Sequence, residues 1–323
     1  MSSKFNTLFS SSPLQKLTYS LAEQSGLEVW IKRDDLIHPL VSGNKFRKLK
    51  YAIEPILNGE KKELLTFGGA FSNHIHACAA LGHLLGFATH GIIRGLYLSD
   101  DNPTLNDAKH WGMAITPISK QEYAKREDVD YIASLQNQYP HARLLPEGGT
   151  APSALQGVAD LFLELQDHPP FDHVICPVGS GGTMAGLIQG APIQTKVHGI
   201  CVLKSAKYLT EKVQQLVDST KKSWQIWHEF HHGGYAKCDK ALIQLCHRIW
   251  QKMNIPVEPI YSAKMFSGFE QMLHQGVFRK GQRILLIHTG GMQGLRGMAK
   301  RNPDLETLLS AVYSETTYPH QEN

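Results

Sequence analysis

The sequence predicts an α/β fold that is built on parallel sheets and divided into two domains. Short β-rich runs alternate with helical stretches along the chain, the pattern produced by parallel strands joined through crossover helices. Two glycine clusters, 68–69 and 179–182, each follow a β-rich run and precede a helical one. The chain has 323 residues, more than one hydrophobic core usually holds, so two domains are the simplest division.

Short apolar runs predict the strands, and apolar residues at helical spacing predict the helices. The predicted strands are 29–32, 64–67, 90–93, 114–117, 174–176, 197–203 and 284–287. The predicted helices are 43–57, with its apolar stripe at Leu49, Ile53 and Ile56, then 73–84, and a segment through Met184, Leu187 and Ile188.

The domain boundaries are predicted from the strongest break in the middle of the chain. The run 146–152, Pro-Glu-Gly-Gly-Thr-Ala-Pro, combines turn formers with two prolines and is typical of a loop that crosses between domains. We expect residues 1–45 and 147–323 to form a large domain, and residues 46–146 to form a smaller domain inserted in it.

Composition excludes several classes of protein. A net charge of +4 without a dense Lys/Arg run is not typical of a nucleic-acid-binding protein. No stretch approaches the ~20 apolar residues that span a bilayer, so no membrane partner is expected. The five cysteines show no Cys-x-x-Cys spacing, which argues against a disulfide framework or a zinc ribbon. The N-terminus lacks an apolar signal core, and we expect a cytoplasmic protein.

The cluster Gly179-Ser180-Gly181-Gly182-Thr183 predicts an anion-binding loop. Glycines allow backbone N–H groups to approach an anion, and the following helix adds partial positive charge. An ordinary strand-to-helix turn remains the alternative. A P-loop is excluded because Met184 follows the cluster, and a nucleophile elbow because Val178 precedes it. A dinucleotide-binding fingerprint is not supported, because it requires an acidic residue where residues 194–196 read Gln-Thr-Lys.

One lysine stands in an unusual local context. Lys45 follows Ser42-Gly43-Asn44 at the predicted entry to a helix, where a tight turn aims a side chain inward. We expect partial desolvation and the neighbouring cations Arg47 and Lys48 to lower the pKa of its amine. Such an amine condenses with an aldehyde cofactor, although a lone lysine is most often a solvated surface residue.

Four motifs in order resemble one known family. They are Asn44-Lys45-x-Arg47-Lys48-Leu49, Ser72-Asn73-His74, Gly179–Thr183 and His288-Thr289-Gly290-Gly291. The combination is similar to the 1-aminocyclopropane-1-carboxylate (ACC) deaminase and D-cysteine desulfhydrase family, which belongs to the fold type II, tryptophan-synthase-β-like enzymes. The resemblance covers nearly the whole chain. It implies pyridoxal 5'-phosphate as cofactor, a small amino acid as substrate and a homodimer.

The resemblance also implies a role for each matching residue. The implied catalytic residues are Lys45, Tyr235, Tyr261, Ser72 and His74. The implied cofactor-binding residues are Lys45, which bonds to the aldehyde, Asn73, which holds the 3′-oxygen, Ser180, Gly181, Gly182 and Thr183, which hold the phosphate, and Thr289, which donates to the ring nitrogen. A hydroxyl there makes the ring a weaker electron sink than a carboxylate would, which suits elimination.

The histidines at 228, 231 and 232 invite a metal interpretation. A polar stretch leading into the Gly233-Gly234-Tyr235 loop is the simpler interpretation, and we assign no metal ligand.

Two positions bear on the substrate. ACC deaminases carry a glutamate directly after the second tyrosine, where this chain has Ser262, so the resemblance favours β-elimination from D-cysteine over ring opening of ACC. Phe71 replaces the glutamine usual in the family and reshapes the carboxylate site. ACC deaminase, a lyase or racemase for another amino acid such as D-serine, a non-catalytic cofactor-binding protein and a cofactor-free anion-binding module stay open as alternatives.

Overall fold

The structure, a computed structural model, describes Phe5 and residues 8–41, 43–217 and 223–315. Its strands are β1 (Leu14–Leu17), β2 (Glu28–Lys32), β3 (Glu63–Gly69), β4 (Ala88–Arg94), β5 (Ala114–Ile118), β6 (Ala142–Leu145), β7 (His173–Val178), β8 (Lys196–Cys201), β9 (Trp224–Trp227) and β10 (Arg283–Ile287).

The α-helices are α1 (Ser20–Gln24), α2 (Asn44–Ala52), α3 (Glu54–Leu57), α4 (Asn73–Leu85), α5 (Pro103–His110), α6 (Lys120–Ala124), α7 (Val129–Gln138), α8 (Pro152–Ala159), α9 (Gly182–Gly190), α10 (Tyr208–Leu216), α11 (Lys240–Met253), α12 (Ser262–His274), α13 (Gln293–Ala299) and α14 (Glu306–Glu315). Short 3-10 turns connect several of them, including Glu147–Gly149.

A four-stranded sheet is formed by the middle of the chain. Its order is β5-β4-β3-β6, and every pairing in it is parallel. The chain moves from β3 outward to β4 and β5 and then returns to pair β6 on the other side of β3. This reversal opens a crevice at the carboxyl ends of β3 and β6, where ligands bind in α/β proteins.

A six-stranded sheet carries the rest of the fold, in the order β1-β2-β10-β7-β8-β9. All its pairings are parallel except β1 with β2, which is antiparallel. The predicted parallel architecture is therefore confirmed, with one antiparallel edge strand added. The chain leaves β7 towards β8 and β9 and returns to pair β10 on the opposite side, so a second crevice lies between the carboxyl ends of β7 and β10.

Helix α2 is packed tightly against α8. A Cβ atom on Gly157 of α8 would lie 2.0 Å from the carbonyl oxygen of Arg47, so only glycine allows this approach. The guanidinium of Arg47 is buried and hydrogen-bonds both oxygens of Asp34, at 2.6 and 2.7 Å, while Glu164 accepts a further bond at 2.8 Å. These contacts fix α2, and with it the residues of its first turn, relative to the large sheet.

Every predicted strand and helix corresponds to an element of the same kind in the structure, but three strands and most of the helices are not predicted. Strands β1, β6 and β9 are not predicted from the sequence, and the helix predicted over 43–57 is interrupted at Ile53 and forms α2 and α3. Among the described residues, no helix combines the length and the apolar character needed to cross a bilayer.

Candidate active site

A cavity of about 510 Å³ lies where the carboxyl ends of strands from both sheets meet. The small sheet contributes Gly69 and Arg94 from the ends of β3 and β4, and the large sheet contributes Val178 from the end of β7. All but one of the residues to which the resemblance gives a catalytic or cofactor-binding role line this cavity: Lys45, Ser72, Asn73, His74, Ser180, Gly181, Thr183, Tyr235, Tyr261 and Thr289. Gly182 does not line it and begins α9 behind the loop.

Lys45 lies in the first turn of α2, and a close contact with the turn after β10 places it there. Gly43 has φ +66°, and a Cβ on it would lie 1.9 Å from the carbonyl oxygen of Thr289. The same carbonyl accepts the N–H of Asn44 at 3.2 Å. This contact brings the two motifs together, although they are far apart in sequence. Ser42, which precedes Gly43, lies outside the described residues.

The Lys45 amine is suited to nucleophilic attack. Desolvation in the cavity lowers the pKa of Lys45 to about 8, against a smaller raising effect of Cys78 and Glu147. The expected direction of the shift is therefore confirmed, and desolvation, one of the expected causes, is the largest one. The expectation that Arg47 lowers this pKa is wrong, because the charge of Arg47 is neutralised by its own carboxylate partners.

The glycine loop has the geometry of an anion cradle. Gly181 has φ +88° and precedes α9, whose N-terminus therefore opens towards the loop. The side-chain amide of Asn44 donates to the Thr183 hydroxyl at 2.8 Å, and the hydroxyls of Thr150 and Ser180 lie 3.1 Å apart. Hydroxyl and amide groups therefore lie around the loop, and groups of this kind hydrogen-bond a phosphate.

Lys48 is the site residue that sequence reasoning missed. Its side chain is 1% exposed, and its amine donates to the Gly148 carbonyl at 3.1 Å and to the Thr150 hydroxyl at 3.4 Å. Burial, assisted by Lys45, lowers the pKa of Lys48 well below its ordinary value. No carboxylate of the described residues pairs with this amine, and a Cβ on Gly182 would lie 3.0 Å from it. The geometry calls for an anion beside the glycine loop.

A signal for Lys48 is present in the sequence. It is three residues after Lys45, so the two amines lie on the same face of α2. The run Gly148-Gly149-Thr150 also repeats the pattern of Gly181-Gly182-Thr183, and the structure brings the two runs together.

Ser72 and Asn73 are positioned by the start of α4. Ser72 is the N-cap of the helix, and its hydroxyl oxygen accepts from the N–H groups of His74, at 3.2 Å, and Ile75, at 3.4 Å. Ser72 lines the cavity, and among the described residues none accepts a hydrogen bond from its hydroxyl. The amide of Asn73 packs against the turn after β10, where a Cβ on Gly291 would lie 2.6 Å from its nitrogen.

His74 is a buried, neutral ring. The Thr66 hydroxyl donates to the Leu145 carbonyl at 3.0 Å, so it accepts from Nε2–H of His74 at 2.9 Å. Nδ1 of His74 is then the unprotonated nitrogen. Burial, together with the Lys45 and Lys48 amines, keeps the pKa of His74 well below its ordinary range. The structure places His74 in the cavity wall, and its role in proton or carboxylate binding stays a prediction.

The two tyrosines come together from separate segments. The rings of Tyr235 and Tyr261 lie 6.0 Å apart, edge to face at 71°. Tyr261 also packs against the glycine loop, since a Cβ on Gly179 would lie 3.1 Å from its ring. Burial and the nearby Tyr235 raise the pKa of Tyr261 well above its ordinary value, so its phenol keeps its proton at neutral pH.

Ser262, the residue on which the substrate prediction depends, does not line the cavity. It is fully buried, and its hydroxyl bonds the backbone and carboxylate of Glu258. The Glu258 carboxylate accepts the N–H groups of Ile260 at 2.6 Å, Tyr261 at 3.0 Å and Ser262 at 2.8 Å. Both side chains therefore lie behind Tyr261 and hold the helix start.

Phe71 lines the cavity at the loop after β3. Its ring packs on α13, where a Cβ on Gly297 would lie 2.7 Å from it, and under the guanidinium of Arg301 at 4.9 Å. This aromatic ring makes one wall of the cavity apolar.

Several cations line the cavity mouth. Arg126 pairs with Glu147 at 2.6 Å, and Lys212 pairs with Glu127 at 3.1 Å. Arg94, at the end of β4, has no carboxylate partner among the described residues; its guanidinium lies over the Tyr123 ring at 5.8 Å. It is therefore available for an anionic group of a ligand.

These observations fit pyridoxal 5'-phosphate on three independent counts. The glycine loop and the Lys48 amine, which has no carboxylate partner among the described residues, match a phosphate. The Lys45 amine, with its lowered pKa, matches an aldehyde. The Asn73 and Thr289 side chains provide polar groups for a heteroaromatic ring.

Comparison with known proteins gives the same result. A curated relative from Thermotoga maritima, named "Putative 1-aminocyclopropane-1-carboxylate deaminase", is 28% identical over 87% of this chain and 94% of its own length. An Arabidopsis thaliana protein named a bifunctional D-cysteine desulfhydrase/1-aminocyclopropane-1-carboxylate deaminase, mitochondrial, is 27% identical over 88% of this chain and 80% of its own.

A crystal structure described as an ACC deaminase homologue has a TM-score of 0.78 and 26% identity, and it covers 96% of this chain and 100% of the other. The family model described as "Pyridoxal-phosphate dependent enzyme" matches residues 7–290, from before β1 to the turn after β10. The chain therefore belongs to the family of pyridoxal-phosphate dependent enzymes.

Proposed function

We propose that this enzyme is a lyase of the D-cysteine desulfhydrase type. It takes a small β-substituted amino acid and, with one water, releases pyruvate, ammonia and the β-substituent, which is sulfide for D-cysteine. The observation that carries this proposal is the set of Lys45, the Tyr235–Tyr261 pair and Thr289 around one cavity, with no carboxylate following Tyr261 in its wall.

The cofactor, when bound, supplies an electron-poor ring that acidifies the α-proton of an attached amino acid. We propose that Ser180, Gly181, Gly182 and Thr183 hold its phosphate together with Lys48. Asn73 hydrogen-bonds its ring oxygen, and Thr289 donates to its ring nitrogen.

Lys45 and the two phenols divide the proton handling. The lowered pKa of Lys45, about 8, raises the neutral fraction of this amine near neutral pH, and the neutral amine accepts a proton at Nζ. The raised pKa keeps the phenol proton on Tyr261, so its Oη–H is a hydrogen-bond donor for a departing group. Ser72 and His74 line the same wall, and we assign them to binding the substrate carboxylate or placing a proton, with Arg94 as the unpaired cation at the mouth.

Elimination is favoured over ring opening because of what lies behind Tyr261. ACC has no α-hydrogen, so its ring needs stronger activation than the removal of a proton. The cavity carboxylates, Glu127 and Glu147, are ion-paired, and Glu258 is consumed by backbone N–H groups. The name of the Arabidopsis relative carries both activities, so ACC deaminase is the second candidate.

The test is keto-acid release by the cofactor-loaded protein with D-cysteine and ACC side by side. Pyruvate and sulfide from D-cysteine alone support the proposal, and 2-oxobutyrate from ACC replaces it with the second candidate. Lys45→Ala must abolish both the product and the borohydride-sensitive colour. A coloured protein that releases no keto acid from any amino acid is a non-catalytic cofactor-binding protein.

We further propose the predicted domains, a homodimer and a cytoplasmic location. The four-stranded sheet lies wholly within 46–146 and the six-stranded sheet wholly outside it, which supports the division; α2 runs across the first boundary. The dimer follows from the resemblance alone, and the location from the cysteines, which show no disulfide framework. Light scattering of the purified protein tests the dimer, and a monomer at micromolar concentration would refute it.

A further inference from the structure

Helix α12 begins directly after Tyr261 and also reaches the loop that carries Tyr235. Lys264, in the first turn of this helix, is fully buried, and its amine donates to the carbonyl of Gly234 at 2.6 Å. No carboxylate of the described residues forms an ion pair with Lys264. Burying an amine costs free energy, and this buried amine donates its hydrogen bond to the carbonyl of the residue before Tyr235.

A second contact from α12 reaches the same loop, which we define as residues 231–239. Ser267 is three residues after Lys264, so it lies on the same helix face, and its hydroxyl is 2.8 Å from Nε2 of His232. Nδ1–H of His232 donates to Asp239 at 2.9 Å, and Asp239 caps α11. The cavity does not include Ser267, so this Ser–His–Asp chain holds the loop and is not placed to attack a ligand.

The backbone of the 231–239 loop needs such contacts. Four of its residues have positive φ: His232 at +47°, Gly233 at +86°, Gly234 at +111° and Ala236 at +51°. Glycine adopts such conformations readily, but at His232 and Ala236 they persist only where surrounding structure determines them. The two bonds from α12 fall on His232 and Gly234, within this strained stretch.

The partner tyrosine is fixed by the same helix. Glu258 accepts the N–H groups of Tyr261 and Ser262, so the start of α12 cannot shift without breaking these bonds. Contacts with the same helix thereby hold both tyrosines in place. Helix α12 thus sets the distance of 6.0 Å between their rings.

We propose that Lys264 is a positioning residue that holds Tyr235 against Tyr261 through the Gly234 carbonyl, with Ser267 as its auxiliary through His232. This rests on the proposed function only in assigning proton handling to the tyrosine pair. Lys264 contacts no substrate or cofactor and acts through the loop.

The experiment compares Lys264→Met and Ser267→Ala with a matched control, Lys204→Met. Lys204 is an exposed lysine close to the same glycine, since a Cβ added to Gly234 would lie 3.1 Å from the Cβ of Lys204. Hydrogen exchange of peptides covering 231–239, measured by mass spectrometry, is expected to rise about tenfold in the two test variants and to stay unchanged in the control. Peptides from α4 report whether the fold is intact.

Steady-state kinetics provide the second readout. Because misplacement by about 1 Å costs roughly 100-fold, Lys264→Met should lower kcat by about that factor with KM and the cofactor absorbance unchanged. Ser267→Ala, the milder change, should lower kcat by about tenfold. Unchanged exchange in both variants, or unchanged kcat despite faster exchange, overturns the proposal. If the unsubstituted protein releases no keto acid, the proposed function fails, and the exchange comparison still decides whether Lys264 holds the loop.

Discussion

Gly43→Ala is the substitution that most directly tests how the site is assembled. Gly43 has φ +66° and ψ −148°, a conformation that L-residues avoid, and its Cα faces the Thr289 carbonyl so closely that an added Cβ would lie 1.9 Å away. The atom in conflict is backbone, so it cannot move aside as a side chain would. The added methyl group therefore pushes α2, with Lys45, away from the turn that carries Thr289.

The magnitude follows from two contributions. The backbone conformation alone costs about 1–3 kcal/mol for a residue other than glycine. Relieving the overlap by shifting the backbone adds about 1–3 kcal/mol, as overpacking does elsewhere. We expect a loss of about 2–6 kcal/mol in the free energy of unfolding. Gly86→Ala is the control, because Gly86 has φ +80° but nothing lies within 4 Å of its added Cβ. It should cost only about 1–2 kcal/mol.

Urea unfolding of both variants measures the difference, provided the slopes agree with that of the unsubstituted protein. The site adds a second readout, since Gly43→Ala should also weaken binding of pyridoxal phosphate while Gly86→Ala should not. Equal destabilisation by the two substitutions, together with equal cofactor binding, would refute the argument that the Gly43–Thr289 approach assembles the site.

Three further predictions test other parts of the structure. Lys48→Met removes a charge-assisted contact to the phosphate worth about 2 kcal/mol, so cofactor affinity should fall roughly 30-fold in a spectroscopic titration, with exposed Lys16→Met as control; equal affinities would contradict this. Burial lowers the pKa of His198 from 6.5 to about 3. As the pH falls below about 6.5, His198 therefore binds a proton in the unfolded chain but not in the folded one, and the free energy of unfolding decreases by up to about 1.4 kcal/mol per pH unit. Urea unfolding at several pH values should show a shallower loss in His198→Gln, and an unchanged slope would contradict the assignment. Ser262→Glu puts a second carboxylate against buried Glu258, so it should cost about 3 kcal/mol and confer no ring opening of ACC; a stable variant that releases 2-oxobutyrate would contradict this.

The sequence does not predict the strand order or how closely the two sheets lie. Strands β6 and β9 have four residues each, too few to show a period against their polar neighbours. The edge strand β1 is likewise short and half polar, LQKL. Such strands exist because a neighbouring strand offers hydrogen bonds, and for β6 that neighbour, β3, is distant in sequence.

The sequence alone encodes the features of this protein that depend on local chemistry. The positive-φ glycines, the Ser72 cap, the glycine loop before a helix and the position of Lys45 in a first turn all depend on residues within one turn of each other. Their order along the chain was enough for the family resemblance and for ten residues of the cavity wall.

Which polar groups are buried, and which residues they contact there, depends on the tertiary structure. Lys48 becomes a buried cation because Thr150, 102 residues away, is folded over it. Arg47, its neighbour in the same helix, is instead neutralised by Asp34 and Glu164. Ser262 follows a cavity residue in sequence yet turns away from the cavity to Glu258. Desolvation and ion pairing are sums over distant neighbours, so no local pattern fixes them.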